Sequence, residues 1–367
     1  MTPRQRLTAL ESHLTAENPA LLPVLRSYRD FDRLLQRMGL LPRGESLVTR
    51  TPWWTLVAAL GPATPAKAAV LDGFRAPDGD AGGRATLYCY GAAPTADPRI
   101  PADLGGAVRV AASDSDRLRG RLLVDASGDA AQPAGRVLEL ADLVLVFPDP
   151  ARPDPDTLAQ ALAAASHRAD ARKLLTVGPD ADRAGIDARL EEAAAARGRR
   201  IAGLLDTLAE ELEDELVPFL EAALARWRRG VRRGALVWIA LLALVLGAAV
   251  VLGGTGNLPA FAGWLGEARP ALLGGAPVRL LALAAGLGGL WLAGHQWVRR
   301  AAARRIAAEL PVRMGEADLD PRRAFLKSTG VFRWGVAGWG RRARRRLAAI
   351  RAAMAGHVRP SRPAAEG

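Results

Sequence analysis

The chain has 367 residues, of which 50% are hydrophobic, and a formal net charge of +12 at pH 7. This length allows two or three domains, and the apolar fraction is sufficient for a packed core together with a membrane span. The single cysteine, Cys89, excludes an internal disulfide and is typical of a reducing cytosol.

Residues 1–44 are predicted to be a helical segment, with one helix at 3–15 and another at 21–38. In the second helix, apolar residues recur at three- and four-residue spacing, which indicates one buried face. They are Leu22, Leu25, Tyr28, Phe31, Leu34 and Leu35. We expect this face to pack against a neighbouring domain.

Residues 45–185 alternate between short apolar runs and helical segments. This alternation predicts an α/β domain with a mainly parallel sheet and flanking helices. The predicted strands are 53–60, 85–91, 119–125, 142–147 and 173–177. Ligands of such sheets bind at the carboxyl ends of the strands, so motifs at those ends are candidate sites.

One loop at the end of a predicted strand matches part of a phosphate-binding motif. The motif G-x-x-x-x-G-K-[ST] holds phosphates with backbone amides and a lysine, and its hydroxyl binds magnesium. Gly61 and Lys67 have the required spacing, but the second glycine is Ala66 and the hydroxyl position is Ala68. Only 3 of the 50 basic residues are lysines. A lysine at position 67 therefore favours descent from a working loop.

A second motif ends a later strand. Asp125 and Gly128 form the D-x-x-G pattern of the phosphate-loop GTPases. With the first loop, this makes the chain resemble a degenerate, dynamin-like member of that family with a membrane hairpin, in detail over residues 45–185. The resemblance implies that the aspartate holds magnesium through water and that the glycine amide meets the terminal phosphate.

The chain departs from this family at the position that reads the base. The N-K-x-D motif is expected just after Val177, where the chain has Gly-Pro-Asp-Ala-Asp. Asp180 or Asp182 could supply the aspartate alone, and Thr86 and Thr95 are candidates for a switch threonine. Three interpretations remain open: a degenerate GTPase fold with little or no hydrolysis, a weak hydrolase that binds GTP and magnesium, and an unrelated α/β domain. No catalytic residue and no metal ligand is assigned.

Residues 186–234 are predicted to be a helical stalk that leads into a transmembrane hairpin at 235–298. The first apolar run, 235–254, has the roughly 20 residues that a span needs, and a weaker run covers 280–294. Arginine-rich segments flank the pair, so the positive-inside rule predicts a multi-pass protein of the inner (cytoplasmic) membrane with both termini cytoplasmic. The tryptophans expected at the interfaces are Trp238, Trp264, Trp291 and Trp297. The alternative is a pair of buried helices in a soluble domain.

Residues 299–367 form a basic helical segment with 17 basic and 5 acidic residues, which accounts for the whole net charge. Its last predicted helix, 339–357, places apolar residues opposite an arginine face. The arginines are Arg341, Arg342, Arg344, Arg345 and Arg346. This helix is expected either to lie on anionic lipid headgroups or to pair with the stalk, with its arginines in solvent. Nucleic acid is the less favoured partner.

These features predict a bacterial-type, membrane-anchored pseudo-GTPase that acts in membrane remodelling or scaffolding. Its expected partners are the lipid bilayer and either further copies of itself or an active relative. Two alternatives remain: an active GTPase with unconventional recognition of magnesium and base, and a non-enzymatic membrane anchor that recruits partners through its arginine-rich tail.

Overall fold

The computed structural model describes residues 3–74, 85–91, 99–100, 108–126, 137, 140–148, 174–178, 183–254, 276–315, 317–330 and 335–358. The chain divides into two compact units. The first unit contains residues 1–33, 42–209 and 344–367, and the second contains residues 34–41 and 210–343.

A six-stranded mixed sheet forms the centre of the first unit. Its strands are β1 (Thr55–Leu60), β2 (Thr86–Tyr90), β3 (Arg109–Ser113), β4 (Arg121–Ala126), β5 (Leu143–Val146) and β6 (Leu174–Thr176). Their order across the sheet is β3-β2-β4-β1-β5-β6. Only the β2–β4 pair is antiparallel among these pairings. Five of the strands lie where the sequence predicts strands, whereas β3 has no predicted counterpart.

The continuous apolar run of β1 explains its central position. All six of its residues are buried, as expected for a strand with neighbours on both sides and layers on both faces. One face of the sheet shares a buried cluster with helices α3 (Pro65–Leu71) and α4 (Arg183–Glu211). Its members include Val57, Leu123, Leu145 and Phe147 from the sheet side, and Leu71, Ile186 and Leu190 from the helices.

Asp142 links α4 to the amino-terminal end of strand β1 in the sheet. Its carboxylate accepts a hydrogen bond from the backbone N–H of Leu56 at 2.8 Å and ion pairs from Arg197, at 3.2 Å, and Arg200. Burial lowers the pKa of the Arg197 guanidinium, and the charge of Asp142 opposes that shift. The buried carboxylate is thus fully paired, and it aligns β1, β5 and α4.

Helices α1 (Pro3–Glu17) and α2 (Leu22–Met38) lie where the sequence predicts two helices. In α2, Tyr28 is fully buried. Its hydroxyl donates to the carbonyl oxygen of Ile201 in α4 at 3.0 Å, and its ring meets Trp53 edge-on with the ring centroids 5.2 Å apart. Burial raises the pKa of Tyr28 to about 12, although the Thr51 side chain acts in the opposite direction.

Tyr28 predicts an alkaline loss of stability. The unfolded chain releases this proton near pH 10, whereas the folded chain keeps it to about 12. Between these values the folded state binds more protons, so the free energy of unfolding should fall with rising pH by about 1.4 kcal/mol per unit. Urea unfolding of the wild-type chain and of Tyr28→Phe at several alkaline pH values tests this. We expect Tyr28→Phe to lack this component of the slope, and equal slopes would contradict the assignment.

The second unit contains long helices. A π-helical segment, Leu212–Leu216, follows α4 and leads into α5 (Val217–Gly254), and α6 spans Ala276–Glu309. Helices α5 and α6 run side by side in opposite directions. A Cβ on Gly234 would lie 2.4 Å from Val298, and a Cβ on Gly294 would lie 2.0 Å from the Trp238 ring. The glycines therefore permit the close helix–helix approach. The second unit also contains α7 (Pro321–Ser328), whereas most of α8 (Arg341–Val358) belongs to the first unit.

The predicted transmembrane hairpin is wrong. Within the described ranges, no helix has both the length and the apolar character to cross a bilayer. The prediction of a multi-pass protein in the inner membrane, which depended on that hairpin, is corrected with it. The prediction considered each uncharged run by itself and treated the arginines beside it as a separate flanking segment. Each run is also one part of a longer helix that continues into arginine-rich turns.

Helix α8 presents its apolar residues to the protein. Leu347, Ile350 and Met354 are buried. Arg346 pairs with Asp30 of α2 at 3.1 Å, and Arg351 pairs with Asp206 of α4 at 3.3 Å. Of the two alternatives for this helix, the structure agrees with packing against other helices. The remaining predicted contact arginines are exposed: Arg341, Arg342, Arg344 and Arg345.

Candidate functional site at the carboxyl end of strand β1

Four parallel strands end together at one edge of the sheet. Leu60 of β1 pairs with Ala126 of β4 and with Val146 of β5, and Val146 pairs with Thr176 of β6. The chain first builds β2 to β4 on one side of β1 and then crosses to β5 on the other side. The loop after β1 therefore lies at the topological switch point, where open α/β sheets bind their ligands.

Gly61 turns the chain out of β1. Its φ of +113° is one that residues with a Cβ rarely adopt, and a Cβ there would lie 2.1 Å from the carbonyl oxygen of Phe147. Phe147 in turn donates its N–H to the carbonyl oxygen of Leu60 at 2.9 Å. The loop is thus held directly against the end of β5.

Thr64 and Pro65 start helix α3. The Thr64 hydroxyl accepts a hydrogen bond from the backbone N–H of Lys67 at 3.2 Å, and Pro65 occupies the first turn, where its missing N–H costs nothing. This cap fixes Lys67 in the first turn of α3, with its side chain directed into the protein.

Lys67 and Asp125 form a buried ion pair. The lysine Nζ lies 2.9 Å from Asp125 Oδ1, and the two side chains are 2% and 1% exposed. The same ammonium donates to the carbonyl oxygen of Gly61 at 2.9 Å and lies 6.0 Å from the centroid of the Phe147 ring. The residues that the resemblance assigns to phosphate and to magnesium therefore bind each other.

The pair determines what the site can do chemically. Removing one member of a buried ion pair leaves the other charged and without its partner, which costs several kcal/mol. A phosphate that binds the Lys67 ammonium would leave the Asp125 carboxylate without its partner, and a magnesium ion that binds Asp125 would leave Lys67 without its partner. The ion pair therefore disfavours the binding of either ligand alone.

The backbone of the loop also lacks a phosphate cradle. Pro62 and Pro65 have no N–H, and three other amides already donate within the chain. Thr64 N–H donates to Pro62 O at 2.9 Å, Lys67 N–H to the Thr64 hydroxyl at 3.2 Å, and Ala68 N–H to Thr64 O at 2.9 Å. Five of the seven positions from 62 to 68 therefore offer no amide to a ligand. Ala68 is exposed and brings only a methyl group to the position where the motif has a magnesium-binding hydroxyl.

The structure brings together Gly61, Ala66, Lys67, Ala68 and Asp125 of the predicted nucleotide site. Gly128, like Thr95, Asp180 and Asp182, lies outside the described residues. Thr86 is buried and stands directly opposite Asp125 in the β2–β4 pair. Over the described ranges, no group of three His, Cys, Asp or Glu residues could hold a metal ion.

Sequence reasoning did not identify Phe147 or Thr64 as part of this site. Thr64-Pro65 is a helix-start signal, so the cap could have been predicted from the sequence. Phe147 carries no such signal, because its contact with Gly61 depends on the pairing of β1 with β5.

The predicted interfacial tryptophans lie on α5 and α6, except Trp264, which is outside the described residues. Trp238 is half-buried against Gly294, Trp291 stacks on His295 with ring centroids 5.3 Å apart, and Trp297 is 70% exposed.

Comparison with known proteins finds no family model that matches this chain and no matching curated protein.

Proposed function

We propose that the first unit is a GTPase-like domain without nucleotide turnover, and that the protein acts as a non-catalytic scaffold. The observation that carries this proposal is the buried ion pair between Lys67 and Asp125. It joins the loop after β1 directly to the end of β4. In this proposal the two side chains themselves hold this edge of the sheet together.

The surroundings of the pair support the proposal. A strand, a loop and a helix occur in the order that a phosphate loop requires, and the strand that carries Asp125 is the immediate parallel neighbour of β1. These features favour a nucleotide-binding ancestor. The alanine at 68, the prolines in the loop and the paired lysine each remove one means of holding a phosphate or a metal.

A scaffold acts through its surfaces, so the proposed activity is the binding of partners and not the hydrolysis of nucleotide. Further copies of the chain or an active relative remain the proposed partners. The rival function is a GTPase that releases Lys67 from Asp125 on binding nucleotide. Phosphoryl transfer depends on a metal ion and on donors that neutralise the developing charge, so the rival requires groups other than Ala68 to supply them.

Calorimetric titration distinguishes the two functions. We expect the full-length chain to show no binding of GTP, GDP or ATP at millimolar nucleotide, with or without magnesium, because the lysine is already paired. Lys67→Ala and the control Lys327→Ala, which removes an exposed lysine elsewhere, should behave alike. Micromolar binding that Lys67→Ala abolishes and Lys327→Ala retains would overturn the proposal in favour of the GTPase.

A further inference from the structure

Helices α5 and α6 carry a cluster of exposed arginines at one level of their pair, which we call the arginine belt. It consists of Arg226, Arg229, Arg232 and Arg233 on α5 and of Arg300, Arg304 and Arg305 on α6. The two sets lie at the same level because the helices are antiparallel, with Gly230 beside Ala302 and Gly234 beside Val298.

The arginines of the belt are not neutralised by ion pairs within the described part of the protein. None of its seven arginines forms an ion pair there, whereas the α8 residues Arg346 and Arg351 each pair with an aspartate. Seven unpaired positive charges on two adjacent helices produce a local potential that attracts an anionic surface.

An exposed apolar surface, the apolar flank, adjoins the belt on the same two helices. On α5 it includes Leu236 at 67%, Val237 at 66% and Leu244 at 74% exposure, and on α6 it includes Leu290 at 49% and Leu292 at 54%. Trp297, 70% exposed, lies where the flank meets the belt. Contiguous exposed apolar residues bordered by charge mark an interaction surface.

The order of charges and apolar residues selects the partner. A second copy of the chain that covered the flank in parallel would bring two arginine belts together, which repels. A nucleic acid would satisfy the belt but leave the apolar flank in water. The surface of an anionic bilayer offers phosphates and, directly beneath them, an apolar layer, with tryptophan favoured at the boundary.

We propose that this surface docks the protein onto an anionic lipid surface. The belt contacts the headgroup phosphates and the apolar flank enters the interfacial layer from the same side. This is a peripheral contact and requires no helix to cross the bilayer. The cationic contact then lies on α5 and α6, whereas the sequence predicts it on α8. The proposal does not depend on the state of the Lys67 site.

Vesicle sedimentation with the full-length chain tests this assignment. The probes are vesicles of phosphatidylcholine alone and vesicles of equimolar phosphatidylcholine and phosphatidylglycerol. We expect binding to the anionic vesicles only, with release at high salt because the attraction is screened. Equal binding to neutral vesicles, or protein that high salt does not release, would overturn the proposal.

Matched variants locate the contact. Glutamine replacements at Arg229, Arg233, Arg300 and Arg304 should weaken binding to anionic vesicles by about 100-fold or more, since each basic side chain at the surface contributes appreciably. The same number of replacements in α8, at Arg341, Arg342, Arg344 and Arg345, is the control and should change binding by less than about threefold. Equal losses in the two variants would mean that net charge alone acts, which contradicts a specific belt.

The apolar flank is tested separately. Leu244→Ser with Trp297→Ser should weaken vesicle binding by about tenfold or more. Val312→Ser, which changes another exposed apolar residue outside the flank, should not. Unchanged circular dichroism would show that these exposed positions leave the fold intact. Wild-type binding by the flank variant would contradict the lipid proposal. The proposal would also fail if a single-stranded oligonucleotide displaced the protein from the vesicles at a lower concentration than inositol phosphates do. Either result would identify the partner as a polyanion in solution.

Discussion

Lys67→Met is expected to lower the free energy of unfolding of the first unit by about 3 to 5 kcal/mol. The substitution keeps the length of the side chain but leaves the Asp125 carboxylate charged and buried beside an apolar group. It also removes the hydrogen bond to the Gly61 carbonyl. Asp125→Leu should be similarly destabilising, because it leaves the Lys67 ammonium without its carboxylate.

The double variant Lys67→Met/Asp125→Leu should recover most of this loss. Replacing both members of a buried ion pair by apolar residues of similar volume is often neutral, because neither desolvated charge remains. Urea unfolding of the wild type, the two single variants and the double variant gives the coupling energy. Additive losses would show that the two side chains do not stabilise each other, which would contradict the proposed structural role of the pair.

Neither the wild type nor the double variant is expected to bind nucleotide. If Lys67 could leave Asp125 to bind a nucleotide, the nucleotide would stabilise the wild type and not the double variant. We expect the midpoint of thermal unfolding to be unaffected by GTP and magnesium in both. A rise in the wild type alone would show that the pair opens for a ligand.

Gly61→Ala is expected to cost about 3 kcal/mol or more, because it combines backbone strain with a steric overlap. The added Cβ would lie 2.1 Å from the carbonyl oxygen of Phe147, and the φ of +113° is unfavourable for alanine. The chain cannot relieve the backbone strain and the steric overlap together without separating the loop from the end of β5.

Gly44→Ala is the matched control for this substitution. Gly44 also has a positive φ, +96°, but a Cβ there meets no atom within 4 Å. It should therefore cost only the strain of the backbone, about 1 kcal/mol. Thermal or urea unfolding of the two variants separates the cost of backbone strain from the cost of the steric overlap with Phe147. Equal losses would mean that the contact with Phe147 does not constrain the loop.

In the proposed scaffold, the charged residues at this edge of the sheet contribute to stability. The ammonium and the carboxylate satisfy each other, and the carbonyl of Gly61 takes up a further donor of the lysine. The site is therefore proposed to be structural, and any function that depends on change of state must lie at other surfaces.

The sequence by itself determined the local elements of this protein. The periodic apolar residues of α2 and the short apolar runs of β1, β4 and β5 predicted their positions, because period and length reflect burial along one element. The spacing of Gly61 and Lys67 also identified the loop that proves to lie at the switch point of the sheet.

Only the tertiary structure decided what those elements do. Lys67 and Asp125 are separated by 58 positions, so their ion pair exists only because β1 and β4 are parallel neighbours in register. The amphipathic pattern of α8 did not determine whether its apolar side is buried, because burial depends on what packs against a helix. Likewise, the uncharged runs of α5 and α6 suggested spans when counted alone. Charge and apolar counts describe a residue's own chemistry, whereas pairing, burial and exposure are properties of the neighbours that folding supplies.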